Sequence, residues 1–327
     1  MRKKALLIGI NDYPHPYELE GCLEDIMSLK SAIERDGDGK PNFEVKTLPN
    51  VRSSAIAMRE IKTLFGDDAD VALLYFSGHG YVNTTGAEIV FPQNLETEDQ
   101  YYAGLQMDTI MKVVNGSRVK NKIVILDCCH SGAMGKYDIQ KDKSELIPGV
   151  SILTACREDE SALEMGGHGV FTELLCDALN GGAADFCGNI TVGGIYAYID
   201  RSFGAWEQRP VFKTNVTEFI PLKTVKPSVD LGYIRRLTTL FNSPDEVFKL
   251  DPSYEKTNTP EVEHKVILPY AQNDHVEQFS VLQKLQSIGF VRPVDEEHMY
   301  FAAIHSKACR LTALGKYYWR LVKNNRI

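Results

Sequence analysis

Four short apolar runs decide what this chain can fold into: "KALLIGI" (4–10), "VALLYFS" (71–77), "KIVILD" (122–127) and "VSILTA" (150–155). Each has strand length and lacks the polar alternation of a half-exposed strand, so each reads as a strand buried on both faces. Segments of helical period separate them. In "LEGCLEDIMSLKSAIER" (19–35), Leu19, Cys22, Leu23, Ile26, Met27, Leu29 and Ile33 recur at helical spacing, and "GDG" (37–39) breaks the pattern. "FEVKTL" (43–48) reads as a strand, and Ser53 or Ser54 caps a helix running through Phe65. Further helices are expected at 169–180 and 191–203, the second capped by Thr191. Strands alternating with helices give an α/β fold, with a mostly parallel sheet covered by helices on both faces. In such sheets, sites lie beyond the carboxyl ends of the strands. "SGHG" (77–80) and "DCCHSG" (127–132) both occupy that place.

Composition narrows the options. No apolar run approaches the ~18 residues of a membrane span. "MRKKALLIGIND" has no small-residue cleavage site and meets Asn11-Asp12 early, so it reads as a first strand and points to a cytoplasmic protein without a membrane partner. Seven cysteines, an odd number without a CxxC pair, make neither a disulfide framework nor a structural zinc site. Consecutive residues of an extended chain point to opposite sides, so Cys128, Cys129 and His130 do not converge on one ion. Residues 1–227 carry a net charge of −9 and residues 228–327 of +1. The acidic first part argues against nucleic acid as its substrate and suits a pocket for cations.

The chemistry-bearing residues sit at the strand ends. A thiol nucleophile needs an imidazole nearby and amide donors for the oxyanion. His79 lies between two glycines, which let a substrate backbone approach closely. Cys129 follows 50 residues later, past another buried strand. If the two strands are neighbours, thiol and imidazole face one cleft, and the N–H groups of Gly80 and Cys129 become oxyanion donors. Taken singly, each residue is more often structural; jointly, they leave catalysis and structure both open. Residues 127 and 129 share a face of an extended segment while Cys128 points away, so Cys128 is expected to be a buried packing residue.

Six stretches in order, "KKALLIGINDY" (3–13), "LEGCLEDI" (19–26), "LLYFSGHG" (73–80), "VILDCCHSG" (124–132), "SILTACREDESALE" (151–164) and "GVFTELLCDAL" (169–179), resemble the caspase-like cysteine peptidases of clan CD, in their metacaspase and prokaryotic orthocaspase branch. The Gln-Ala-Cys signature of true caspases is absent. The resemblance implies His79 and Cys129 as the catalytic pair and Asp25 and Asp127 as the floor of a pocket for Arg or Lys, with Cys156 on its wall. On pattern alone, Asp25 reads as a solvated helix residue and Asp127 as a strand-end cap. Calcium-activated relatives carry an acidic cluster where this chain has "TTGAEIVFPQN" (84–94). Only Glu88 remains, so no cofactor is expected. The 133–149 loop holds Lys136, Lys141 and Lys143, which leaves open both self-cleavage there and an intact loop in a single-chain enzyme. Metacaspase-like members act as monomers, and prokaryotic relatives serve in defence or regulated cell death.

The peptidase-like domain is expected to span 1–222, followed by a linker at 223–230. Residues 231–327 are expected to form a small α+β domain of winged-helix type: helices at 231–241 and 271–288, then a strand, a turn, a second strand and a helix from Thr312. The last 23 residues hold six Lys/Arg and no acid, a DNA-like signal, but the domain's near-neutral balance favours a regulatory protein partner over DNA. The main expectation is an endopeptidase cleaving after basic residues and regulated through its C-terminal domain. The alternative is a DNA- or partner-binding regulator with the peptidase-like part as scaffold.

Overall fold

The computed structural model describes residues 1–83, 86–95, 104–128, 146–155, 164–165, 168–203, 209–216 and 219–327. The chain forms two compact units, Met1–Lys226 and Pro227–Ile327. In the first, the elements are β1 (Lys3–Gly9), α1 (Cys22–Ile33), β2 (Phe43–Pro49), α2 (Ser54–Gly66), β3 (Val71–Ser77), β4 (Gly80–Asn83), β5 (Gly86–Ile89), β6 (Leu105–Gln106), α3 (Met107–Gly116), β7 (Asn121–Asp127) and β8 (Val150–Thr154). They continue with β9 (Glu164–Met165), β10 (His168–Gly169), α4 (Val170–Asp177), β11 (Asn189–Ile190), α5 (Val192–Ser202), β12 (Val211–Asn215) and β13 (Lys223–Thr224).

A six-stranded sheet in the order β12-β8-β7-β3-β1-β2 forms the centre. The strands from β8 to β2 run parallel, as the apolar runs predict, and only β12 pairs antiparallel, at the edge on β8. Alternate residues of each strand enter two separate cores. Leu6, Ile8, Leu74, Phe76, Val124, Leu126 and Cys128 pack with α2 and α3. Ala5, Leu7, Leu73, Tyr75, Ile123 and Ile125 pack with α1, α4 and α5. Burying each large aliphatic side chain contributes about 1.5–3 kcal/mol. Gly9 lets α1 start against β1, since a Cβ there would lie 2.4 Å from the Cys22 carbonyl oxygen. Thr191 caps α5 as expected, accepting from the Gly194 N–H at 3.1 Å.

Two features were not legible in the sequence. A small antiparallel sheet, β4-β5-β6, follows His79 directly. The expected linker also begins inside structure: β13 pairs with β11, and Val225 N–H bonds the Gly188 carbonyl at 2.8 Å. Backbone pairing, rather than composition, carries the first unit to Lys226.

The second unit contains an antiparallel sheet in the order Val247–Lys249, Ala308–Leu311, Val291–Val294. Its longer helices are Asn273–Ser287 and Ala313–Lys323. Leu237, Phe241, Phe279, Leu282, Phe290 and Trp319 are buried there, and the Trp319 indole donates to the Phe241 carbonyl at 2.8 Å. Thr312 caps the last helix, as expected. The sequence predicts two strands joined by a turn. The connection instead holds a short helix, Met299–Ile304, and Val247–Lys249 supplies a third strand. That strand is three residues long with no fully buried position, so no periodicity announces it.

Candidate active site

The parallel pairing of β3 with β7 sets Ser77 opposite Asp127, and the N–H of Gly78 reaches the Asp127 carbonyl at 3.4 Å. The "SGHG" segment and Asp127 therefore leave the sheet side by side. Two carboxylates converge there on the α1/α4 face. Asp25 lies in the first turn of α1 and is 3% exposed; Asp127 ends β7 and is 7% exposed. Neither is solvated, contrary to what pattern alone suggests for Asp25. The helix dipole at the start of α1 favours a negative charge at position 25. Ser77 Oγ donates to Asp25 Oδ2 at 2.9 Å, and Thr172 Oγ1 donates to Asp127 Oδ2 at 2.6 Å. The Tyr75 hydroxyl lies 2.5 Å from Thr172 Oγ1. Tyr75 is fully enclosed, and burial, then the charges of Asp127 and Asp25, hold its pKa well above the usual phenol value. It stays a neutral donor.

His79 is half-buried and held at several points. Its Nε2 is 2.7 Å from the Tyr17 carbonyl oxygen. A carbonyl only accepts, so Nε2 carries a proton, and Nδ1 is the basic nitrogen of the neutral ring. The ring packs on Tyr13, with centroids 4.5 Å apart. The Tyr13 hydroxyl accepts from the His79 N–H at 3.0 Å and donates to the Val90 carbonyl at 3.1 Å. Burial raises its pKa far above the ordinary value, which preserves that donor. Gly78 makes room for this contact: a Cβ there would lie 2.6 Å from Tyr13 Oη and 2.9 Å from Phe76 Cζ.

Gly80 pairs with Ile89, and the His79 carbonyl accepts from Val90 N–H at 3.0 Å. In an antiparallel ladder this makes Gly80–Ile89 a non-hydrogen-bonded pair, so the Gly80 N–H points away from β5. Cys128 is 2% exposed in the α2/α3 core, the packing position expected of it. Cys129, Cys156, Lys136, Lys141 and Lys143 lie outside the described residues. Glu88, the remnant of the calcium-type acidic stretch, is buried and accepts from the Gly104 N–H at 2.8 Å. Among the described residues, no cluster of three His, Cys, Asp or Glu side chains is arranged to hold a metal.

Four residues near these groups escaped the sequence reading: Tyr13, Tyr17, Tyr75 and Thr172. Tyr75 carried a signal, a hydroxyl inside an otherwise apolar strand at the same parity as Ser77 and on the opposite parity to Phe76. Thr172 is a polar position beside the buried Phe171, one turn before Leu175. Tyr17 acts through its main chain, which no side-chain pattern reveals.

Metacaspase-4 of Arabidopsis thaliana is 28% identical over 200 residues, 55% of this chain and 44% of that protein. Metacaspase-6 of the same plant is 28% identical over 228 residues, 62% of this chain and 59% of that one. The chain thus spans about half the length of these relatives. A crystal structure of protein GSU0716 from Geobacter sulfurreducens shares the fold, with a TM-score of 0.50 at 19% identity, over 69% of this chain and all of that one. The family model of the caspase domain matches residues 2–219, nearly the whole first unit, and the chain belongs to that family of cysteine peptidases.

Proposed function

We propose that the first unit is a cysteine endopeptidase that cleaves after Arg or Lys, with Cys129 as nucleophile and His79 as its acid–base partner. The observation that carries this reading is the pair of buried carboxylates, Asp25 and Asp127, on one face at the strand end beside His79. A cleft floored by two carboxylates accepts a guanidinium or ammonium group and rejects an acidic side chain. Cys129 is tethered two residues beyond Asp127. His79 Nδ1 takes the thiol proton as Sγ adds to the scissile carbonyl carbon, and the N–H groups of Gly80 and Cys129 hold the resulting oxyanion. The C–N bond breaks as His79 returns the proton to the leaving amine, giving a thioester. Water then adds with its proton going to His79, and the C–S bond breaks to release the acid and the thiol. Cys156 is assigned to the pocket wall.

The second unit is proposed to be a winged-helix-like regulatory module that engages a protein partner. The order first-third-second strand in its antiparallel sheet, with a long helix before the hairpin, supports the fold. Self-cleavage within 133–149 would be one route of control.

Fluorogenic peptides differing only in the residue before the scissile bond test the reading. Turnover of Arg and Lys peptides by wild type, loss of both in Cys129→Ala, and no turnover of the Asp peptide are expected. Turnover of the Asp peptide without the Arg peptide would refute the acidic pocket.

A further inference from the structure

The two pocket carboxylates each accept from a hydroxyl, Asp25 from Ser77 and Asp127 from Thr172, and the Tyr75 hydroxyl lies 2.5 Å from Thr172 Oγ1. Direction follows from proton counting. Thr172 has one hydroxyl proton, and at 2.6 Å from a carboxylate it is given to Asp127 Oδ2. Thr172 Oγ1 is therefore the acceptor in its 2.5 Å contact with Tyr75, whose proton is the donor. Tyr75 and Thr172 are at most 1% exposed, so solvent does not substitute for either bond. Tyr75 reaches this point because residues 75 and 77 of β3 share a face, and Thr172 because the first turn of α4 lies over that face.

We propose that Tyr75 and Thr172 are positioning residues that fix the orientation of the Asp127 carboxylate, and that this fixed geometry makes the pocket select Arg over Lys. This rests on the peptidase reading above. A guanidinium is a planar fork that binds carboxylates in a set geometry, whereas an ammonium is a point charge with freely rotating donors. A carboxylate pinned through Oδ2 suits the fork, and one free to rotate still attracts a point charge about equally well. The relay therefore acts on the Arg-to-Lys ratio, and a loss of packing alone would lower both substrates together. Charge-assisted bonds are the strong ones among hydrogen bonds, so their geometry is felt in the transition state.

The test is kcat/KM for paired peptides ending in Arg and Lys, measured on wild type, Thr172→Val, Thr172→Ser and Tyr75→Phe. Wild type should prefer Arg. Thr172→Val, which keeps the shape and removes the hydroxyl, should lower the Arg value about 10- to 100-fold while the Lys value changes less than about threefold. Thr172→Ser, which keeps the hydroxyl, should restore the ratio. Tyr75→Phe should lower the ratio in the same direction, and it decides the matter if Thr172→Val does not fold. An unchanged ratio in a folded Thr172→Val or Tyr75→Phe protein overturns the relay, as does a wild-type preference for Lys. Wild type that cleaves neither peptide overturns the peptidase reading itself, and this inference with it.

Discussion

Replacing Tyr13 by Phe removes one oxygen and leaves the ring that supports His79. Two backbone groups, the part-buried His79 N–H and the buried Val90 carbonyl, lose a partner. The His79 N–H has a single proton and is orphaned, which costs about 1–3 kcal/mol; the Val90 carbonyl keeps its second lone pair and loses about 0.5–1.5 kcal/mol. The expected destabilisation is thus about 1.5–4.5 kcal/mol. At about 2–4 °C per kcal/mol for a unit of this size, the melting temperature should fall by at least about 3 °C. Calorimetry of the full chain measures it, with hydrogen exchange assigning the shifted transition to residues 1–226. A second substitution sharpens the argument. Gly78→Ala places a Cβ 2.6 Å from Tyr13 Oη, an overpacking cost of about 1–3 kcal/mol. In a Tyr13→Phe background that contact is gone and only the Phe76 clash at 2.9 Å remains. The double variant should be more stable than the sum of the single effects, by about 0.5 kcal/mol or more. A Tyr13→Phe protein melting within about 1 °C of wild type, or strictly additive variants, would refute the reasoning.

Cys129→Ala should abolish peptide turnover, whereas Cys128→Ala should retain it and lose about 1 kcal/mol of stability, as seen by kinetics beside a denaturant titration. Asp25→Asn and Asp127→Asn should each raise KM for an Arg peptide, checked by initial rates; an unchanged KM in both would remove these carboxylates from the pocket. Stability should also depend on pH in the alkaline range. Burial raises Cys176 to about 12, and it pushes Tyr13 and Tyr75 upward too. At these sites the native unit holds protons that the unfolded chain releases above about pH 8.5–10, which favours a decline with rising pH, opposed by Lys3, Lys122 and Lys223, whose amines burial lowers. Melting temperatures between pH 8 and 11 should therefore fall less steeply in Cys176→Ala than in wild type, and equal slopes would count against the buried Cys176 thiol. Thr191→Ala removes the α5 cap and should cost about 1 kcal/mol, again by denaturant titration.

The sequence by itself determined the parallel sheet, because strands buried on both faces must be continuously apolar and "KALLIGI", "VALLYFS", "KIVILD" and "VSILTA" are. It also determined that Cys128 turns into the core, since strand alternation is a local property of the backbone. It singled out His79 as a candidate, and the carboxylates only through the family resemblance. Strand order and helix packing then decided what local rules leave open. Asp25 reads as a solvent-facing helix residue until α1 is laid on the sheet, where it becomes one of the most enclosed charges among the described residues. The proton on His79 Nε2 is set by a main-chain oxygen 62 positions away. Tyr75 and Thr172, 97 positions apart, meet only because α4 crosses the face that β3 presents. Periodicity reports which way a side chain points, and the partner it meets there is a matter of tertiary packing.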